Sequence, residues 1–112
     1  MYLYADFEPK SFVYISINSV GAVTDTWNKG TNRNDRDVSW TTDGEGAAYV
    51  GEDYWSIEYR LGLGSKEFPR PDPGAVWRLN MQRNFRGRQW TQWSRVYPDR
   101  SYPDCFGILL FK

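Results

Sequence analysis

SFVYISINSVGAVTDTWN, residues 11–28, decides the fold. Val13, Ile15 and Ile17 alternate with Phe12, Tyr14, Ser16 and Asn18, the period of two that marks a strand. Residues 19–21, Ser-Val-Gly, are turn formers, and AVTDTWN (22–28) returns as a second strand. The stretch therefore predicts a β-hairpin.

The same alternation extends outward in both directions. YLYADF (2–7) reads as a short strand ended by Pro9, so the chain enters a strand almost at once. Residues 29–46 are rich in Asn, Asp, Thr and Gly and read as a loop, with a short strand around Val38 to Trp40. In AAYVGEDYWSIEYRLGL, Trp55, Ile57, Tyr59 and Leu61 share one face, and Ser56, Glu58 and Arg60 the other. GSKEFPRPDPG (64–74) holds three prolines and is irregular. AVWRLNMQRNF (75–85) reads as one strand, with Trp77, Leu79 and Met81 opposing Arg78, Asn80 and Gln82. RGR (86–88) is a hairpin turn, QWTQWS (89–94) the partner strand, and RVYPDRSYPD a second loop. FGILLF (106–111) is apolar on both faces and is predicted to be a central strand. Seven or so short strands without helical periodicity predict an all-β fold, an antiparallel sandwich or barrel spanning residues 1–112 as one domain.

Composition removes several functions. Fourteen basic residues balance fourteen acidic ones, so no global field favours nucleic acid or an anionic membrane. The chain has no histidine, the commonest general base and metal ligand. Cys105 is the sole cysteine, which excludes an intrachain disulfide and leaves a thiol without a histidine to activate it. No stretch has the length of a membrane span, and MYLYADFEPK lacks the pattern of a signal peptide. Aromatic residues make up 18% of the chain; they suit half-buried sheets and also binding surfaces.

Chemistry concentrates around QWTQWS. Trp90 and Trp93 lie three apart on a strand and so point to opposite faces; one is predicted inside and the other exposed. Arg83, Asn84, Arg88 and Gln92 lie nearby and could supply directional hydrogen bonds to hydroxyl groups. Trp90, Trp93, Tyr97 and Tyr102 could supply flat apolar rings. Six arginines and one acid between Arg78 and Arg100 could also track a single nucleic-acid strand, but such a set more often forms a solvated, ion-paired face. Glu58 beside Arg60 reads as an ion pair rather than half of a catalytic carboxylate pair. Asp35, Asp37, Asp43 and Glu45 share a polar loop and could hold a structural calcium ion, although their spacing fits no standard loop. Met81 shares a face with Trp77 and Leu79, which predicts core packing.

A further set of residues carries a resemblance. Trp55 and Glu58, Pro73, Gly74 and Trp77, Arg83 and Asn84, Trp93 and Ser94, and Pro103, Phe106 and Gly107 follow one another in an order and spacing that resemble family 9 carbohydrate-binding modules. YISINSVGAVTDTWN (14–28) looks like that family's strand, Asn-x-x-Gly turn and strand. The likeness covers the chain from about Tyr2 onward.

The resemblance implies an antiparallel β-sandwich of jelly-roll or immunoglobulin-like form, without the family's opening strands. It implies non-catalytic binding of carbohydrate by an accessory module of an extracellular or cell-envelope bacterial protein, with no cofactor. The expected ligand residues are Trp93, Trp90, Arg83, Asn84, Arg88, Tyr97 and Tyr102. The family's two clamping tryptophans do not carry over: one precedes the segment matching YLYADF, and Arg100 stands at the other. A sugar-contacting arginine of the family falls at Ser16. The alternative expectation is a structural or protein-interaction domain that keeps the fold and self-associates through an open sheet edge.

Overall fold

The computed structural model describes residues 1–5, 11–30, 35–66, 68–85, 89–95 and 103–112. Among them the protein is all-β, with antiparallel pairing throughout and no α-helix. The strands are β1 (Tyr2–Tyr4), β2 (Phe12–Ile17), β3 (Val23–Asn28), β4 (Arg36–Asp37), β5 (Gly44–Val50), β6 (Trp55–Leu61), β7 (Val76–Asn80), β8 (Gln82–Phe85), β9 (Gln89–Gln92) and β10 (Gly107–Leu110). Six form one sheet in the order β10-β7-β1-β2-β3-β4; β5 pairs with β6, and β8 with β9, as separate hairpins.

The β2–β3 hairpin forms as the sequence predicts, and its turn explains the Asn-Ser-Val-Gly signature. The Asn18 side-chain oxygen accepts hydrogen bonds from the backbone N–H of Val20 (3.1 Å) and Ala22 (2.9 Å). Gly21 adopts φ +82° and donates its N–H to the Asn18 carbonyl, a conformation that side-chain-bearing residues disfavour. Asn18 and Gly21 thus fix the register that pairs Ile17 with Val23 and Phe12 with Asn28.

β1 and β2 sit at the middle of the large sheet and bury both faces. Leu3, Val13 and Ile15 meet Phe68 and Trp77 on one side, with Trp40, Tyr59, Leu61 and Phe111 packed around them. Tyr2, Tyr4 and Phe12 meet Phe106 on the other. The aromatic rings make tilted and edge contacts, such as Tyr4–Phe106 at 5.4 Å and Trp77–Phe111 at 4.9 Å between centroids, the arrangement that ring quadrupoles prefer. Burial pushes the Tyr4 phenol well above its ordinary pKa. The proline-rich segment is irregular, as predicted, yet it delivers Phe68 to the core at 2% exposure.

Four expectations need correction. FGILLF is not a central strand: β10 lies at the edge of the large sheet, and Ile108 and Leu110 are 62% and 55% exposed. Residues 75–85 are not one strand. The ladder of β7 ends at Asn80, and Met81 is 47% exposed instead of packed in the core. The cause is the change of partner: β7 pairs with β1 and β10, whereas β8 pairs only with β9 among the described residues. The short strand near Val38 falls two residues earlier, at Arg36–Asp37. Finally, Arg60 pairs not with Glu58 but with its cross-strand neighbour Glu45, at 2.9 Å.

Candidate functional site

The break after Asn80 builds the site. The β8–β9 register continues one step past its strands, with Trp93 donating its backbone N–H to the Met81 carbonyl at 2.9 Å. At the next step a side chain takes over from the backbone. Asn80, 1% exposed, accepts the Ser94 N–H through Oδ1 at 3.0 Å and donates Nδ2–H to the Ser94 carbonyl at 3.1 Å. The Ser94 hydroxyl in turn donates to the Cys105 carbonyl. A backbone bond from Trp93 and the Asn80 side-chain amide on Ser94 therefore hold the Trp-Ser pair.

Trp93 lies over β10. A Cβ on Gly107 would collide with its six-membered ring, with Cη2 only 2.6 Å away. Gly107 is thus required for close approach, which explains why a glycine follows Phe106 here. The Trp93 ring packs on backbone along one side and remains 56% exposed, the most exposed of the six tryptophans.

Trp90 pairs across the hairpin with Asn84 and is 42% exposed. The expectation that one tryptophan of the pair is buried is therefore corrected. β8–β9 is a separate hairpin outside the large sheet, and neither tryptophan is buried there. Arg83 places its guanidinium 5.2 Å from the Trp55 ring centroid and 5.7 Å from that of Phe85. Such cation–π contact holds the guanidinium beside the rings, and the group carries five N–H donors. Trp55 of the Trp-x-x-Glu motif is thereby joined to Arg83 of the Arg-Asn motif, a pairing that sequence separation alone does not reveal.

Arg88, Tyr97 and Tyr102 lie outside the described residues. The acidic loop does not converge: Asp37 bonds to Ser39 and lies 3.4 Å from Lys29, while Glu45 is held by Arg60. Hydrogen bonds from Ser39 hold the Asp37 carboxyl below the usual carboxylate range. Among the described residues, no three His, Cys, Asp or Glu side chains come together as a metal site. No described helix is long and apolar enough to cross a membrane.

Sequence reasoning missed a cavity of about 530 Å³ lined by residues 40–43 and 62–65 together with Phe68 and Arg70. The only signals were a lone tryptophan in a polar loop and the Gly-Leu-Gly at 62–64.

No protein-family model, curated protein or solved structure matches the chain.

Proposed function

We propose that the protein is a non-catalytic carbohydrate-binding module built on an antiparallel β-sandwich, acting as an accessory domain outside the cytoplasm. The observation that carries this reading is the held yet exposed ring of Trp93. Stacking on a sugar requires a flat apolar face that loses little freedom when the ligand arrives. A ring seated on Gly107, between the Trp93–Met81 backbone bond and the Asn80 amide on Ser94, is ordered beforehand, which lowers the entropic cost of binding. Arg83, held by Trp55 and Phe85, would offer in-plane donors to hydroxyls, and Asn84 and Arg88 would add to them. The resemblance in motif order supports the same reading.

Trp93→Ala tests it by isothermal titration with xylose, glucose, cellobiose and xylobiose. Loss of a central aromatic anchor typically costs about 2 kcal/mol or more, roughly a thirtyfold loss of affinity. The variant is expected to lose the binding that moves the Trp93 face while keeping its amide dispersion. Unchanged affinity, or unfolding of the variant, would refute the assignment to Trp93.

A second reading rests on β10. Its outer edge has no partner among the described residues, and it carries exposed Ile108 and Leu110. An uncharged apolar edge is a template for another strand, so the domain would serve as an interaction module, pairing first with its own copy. Sedimentation velocity checks this: concentration-dependent dimer that disappears in Ile108→Lys supports it, and a monomer at high concentration refutes it.

A further inference from the structure

The cavity between residues 40–43 and 62–65, with Phe68 and Arg70, has its own chemistry, independent of Trp93. Its wall is aromatic. Phe68 is 2% exposed, and the half-buried Trp40 stands edge-on to Trp27 at 5.7 Å and tilted against Phe68 at 6.2 Å. Its polar groups come in complementary kinds. Asp43 lies over Gly62, where a Cβ would come within 3.1 Å of its Oδ2. Arg70 lies over Gly64, with Nε 3.7 Å from the equivalent point. Two opposite charges thus rest on the same Gly-Leu-Gly segment. Among the described residues, neither side chain has a hydrogen-bond or ion-pair partner.

The segments around them are braced. Gly62 donates its N–H to the Asp43 carbonyl at 2.8 Å, and Gly64 to the Phe68 carbonyl at 2.6 Å. Asp25 accepts the Thr42 N–H at 2.6 Å and the Thr41 hydroxyl at 3.2 Å. Ser65 accepts the Phe68 N–H at 3.0 Å and keeps its own O–H to donate.

We propose that this cavity is a second carbohydrate subsite, taking one or two neutral sugar rings. The charge balance argues for a neutral ligand: an anion would meet Asp43, and a cation would meet Arg70. Adjacent hydroxyls of a sugar suit both groups together, because a carboxylate accepts two O–H donors and a guanidinium donates two N–H groups. The volume of about 530 Å³ has room for one or two sugar rings, and Trp40 is part of its lining.

The test is an indole and amide NMR titration of the whole chain with glucose, xylose, cellobiose and xylobiose, with free glutamine as the zwitterionic comparison. Asp43→Asn, Arg70→Gln and Trp93→Ala are titrated alongside. The expected result is movement of the Trp40 indole and of residues 62–70 with at least one sugar. That response survives Trp93→Ala and weakens about tenfold in each of Asp43→Asn and Arg70→Gln, the loss of one charge-assisted hydrogen bond. Both changes are at exposed positions, and dispersed spectra verify their folds. Movement of Trp93 alone would overturn this subsite and leave the preceding proposal standing. Movement of Trp40 alone would do the reverse. A cavity that answers glutamine and no sugar would also overturn the subsite.

Discussion

Asn80→Ala strikes the joint on which the Trp93 surface depends. Asn80 is 1% exposed and makes both of its Ser94 bonds near 3 Å. Removing the amide leaves the half-buried Ser94 N–H and carbonyl unsatisfied, at about 1–1.5 kcal/mol apiece, the lower end of the usual range of about 1–3 kcal/mol. The total is about 2–3 kcal/mol, a large part of a stability of roughly 5–15 kcal/mol. At about 4 °C per kcal/mol for a chain of this size, the melting temperature should fall by roughly 10 °C. Calorimetry measures that drop, and relaxation of the Trp93 indole nitrogen measures the release of the ring. Asn80→Asp should cost still more at neutral pH, because it buries a carboxylate and sets an acceptor against the Ser94 carbonyl. A destabilisation of Asn80→Ala within about 0.5 kcal/mol, the range of an ordinary surface change, would refute the reasoning, as would an unchanged indole order parameter.

Three other predictions follow from the sheet. Gly107→Ala should displace the Trp93 ring, because the new Cβ occupies its place; a changed Trp93 indole shift with a retained fold is expected, and an unmoved signal contradicts the packing. Thr26→Val should be neutral or stabilising by about 1 kcal/mol, because the Thr26 hydroxyl is buried without a partner among the described residues and Val suits a strand; a loss of melting temperature would show that the hydroxyl is satisfied. Asp37 should titrate below a free aspartate because Ser39 stabilises its charged form. Its contribution to stability is complete above the ordinary aspartate range and is lost as the pH falls through the lowered value. A carboxyl-carbon titration with a midpoint at or above the ordinary value contradicts this.

The hairpin at 11–28 was legible because every local cue agrees: alternation, an Asn that caps its own turn, and a glycine where φ is positive. Trp77 was legible as core for the same reason. What the sequence conceals is partnership. A strand apolar on both faces reads alike whether it is covered by sheets on both sides or stands at an edge like β10. Trp77, Leu79 and Met81 keep an unbroken period through the point where the strand changes partners, since the cause lies at Trp93 and Ser94, more than ten residues away. Arg60 chose Glu45 because register, not proximity in sequence, brought the two together. At the candidate site, the exposure of Trp93 was foreseen, but that of Trp90 was not. The stacking of Arg83 on Trp55 joins residues 28 apart in the chain. The cavity beside Trp40 needed two loops to meet and left almost no trace in the pattern.

The central claim is that Trp93 is a binding surface and not merely a lid on Gly107. The most direct measurement is a titration of the indole N–H signals with xylose, glucose, cellobiose and xylobiose, each tryptophan assigned by single substitution. The account predicts a saturable shift of the Trp93 indole, with Arg83 side-chain signals moving alongside, for at least one of these sugars. A Trp93 signal that ignores all four, in a well-dispersed spectrum, would contradict it.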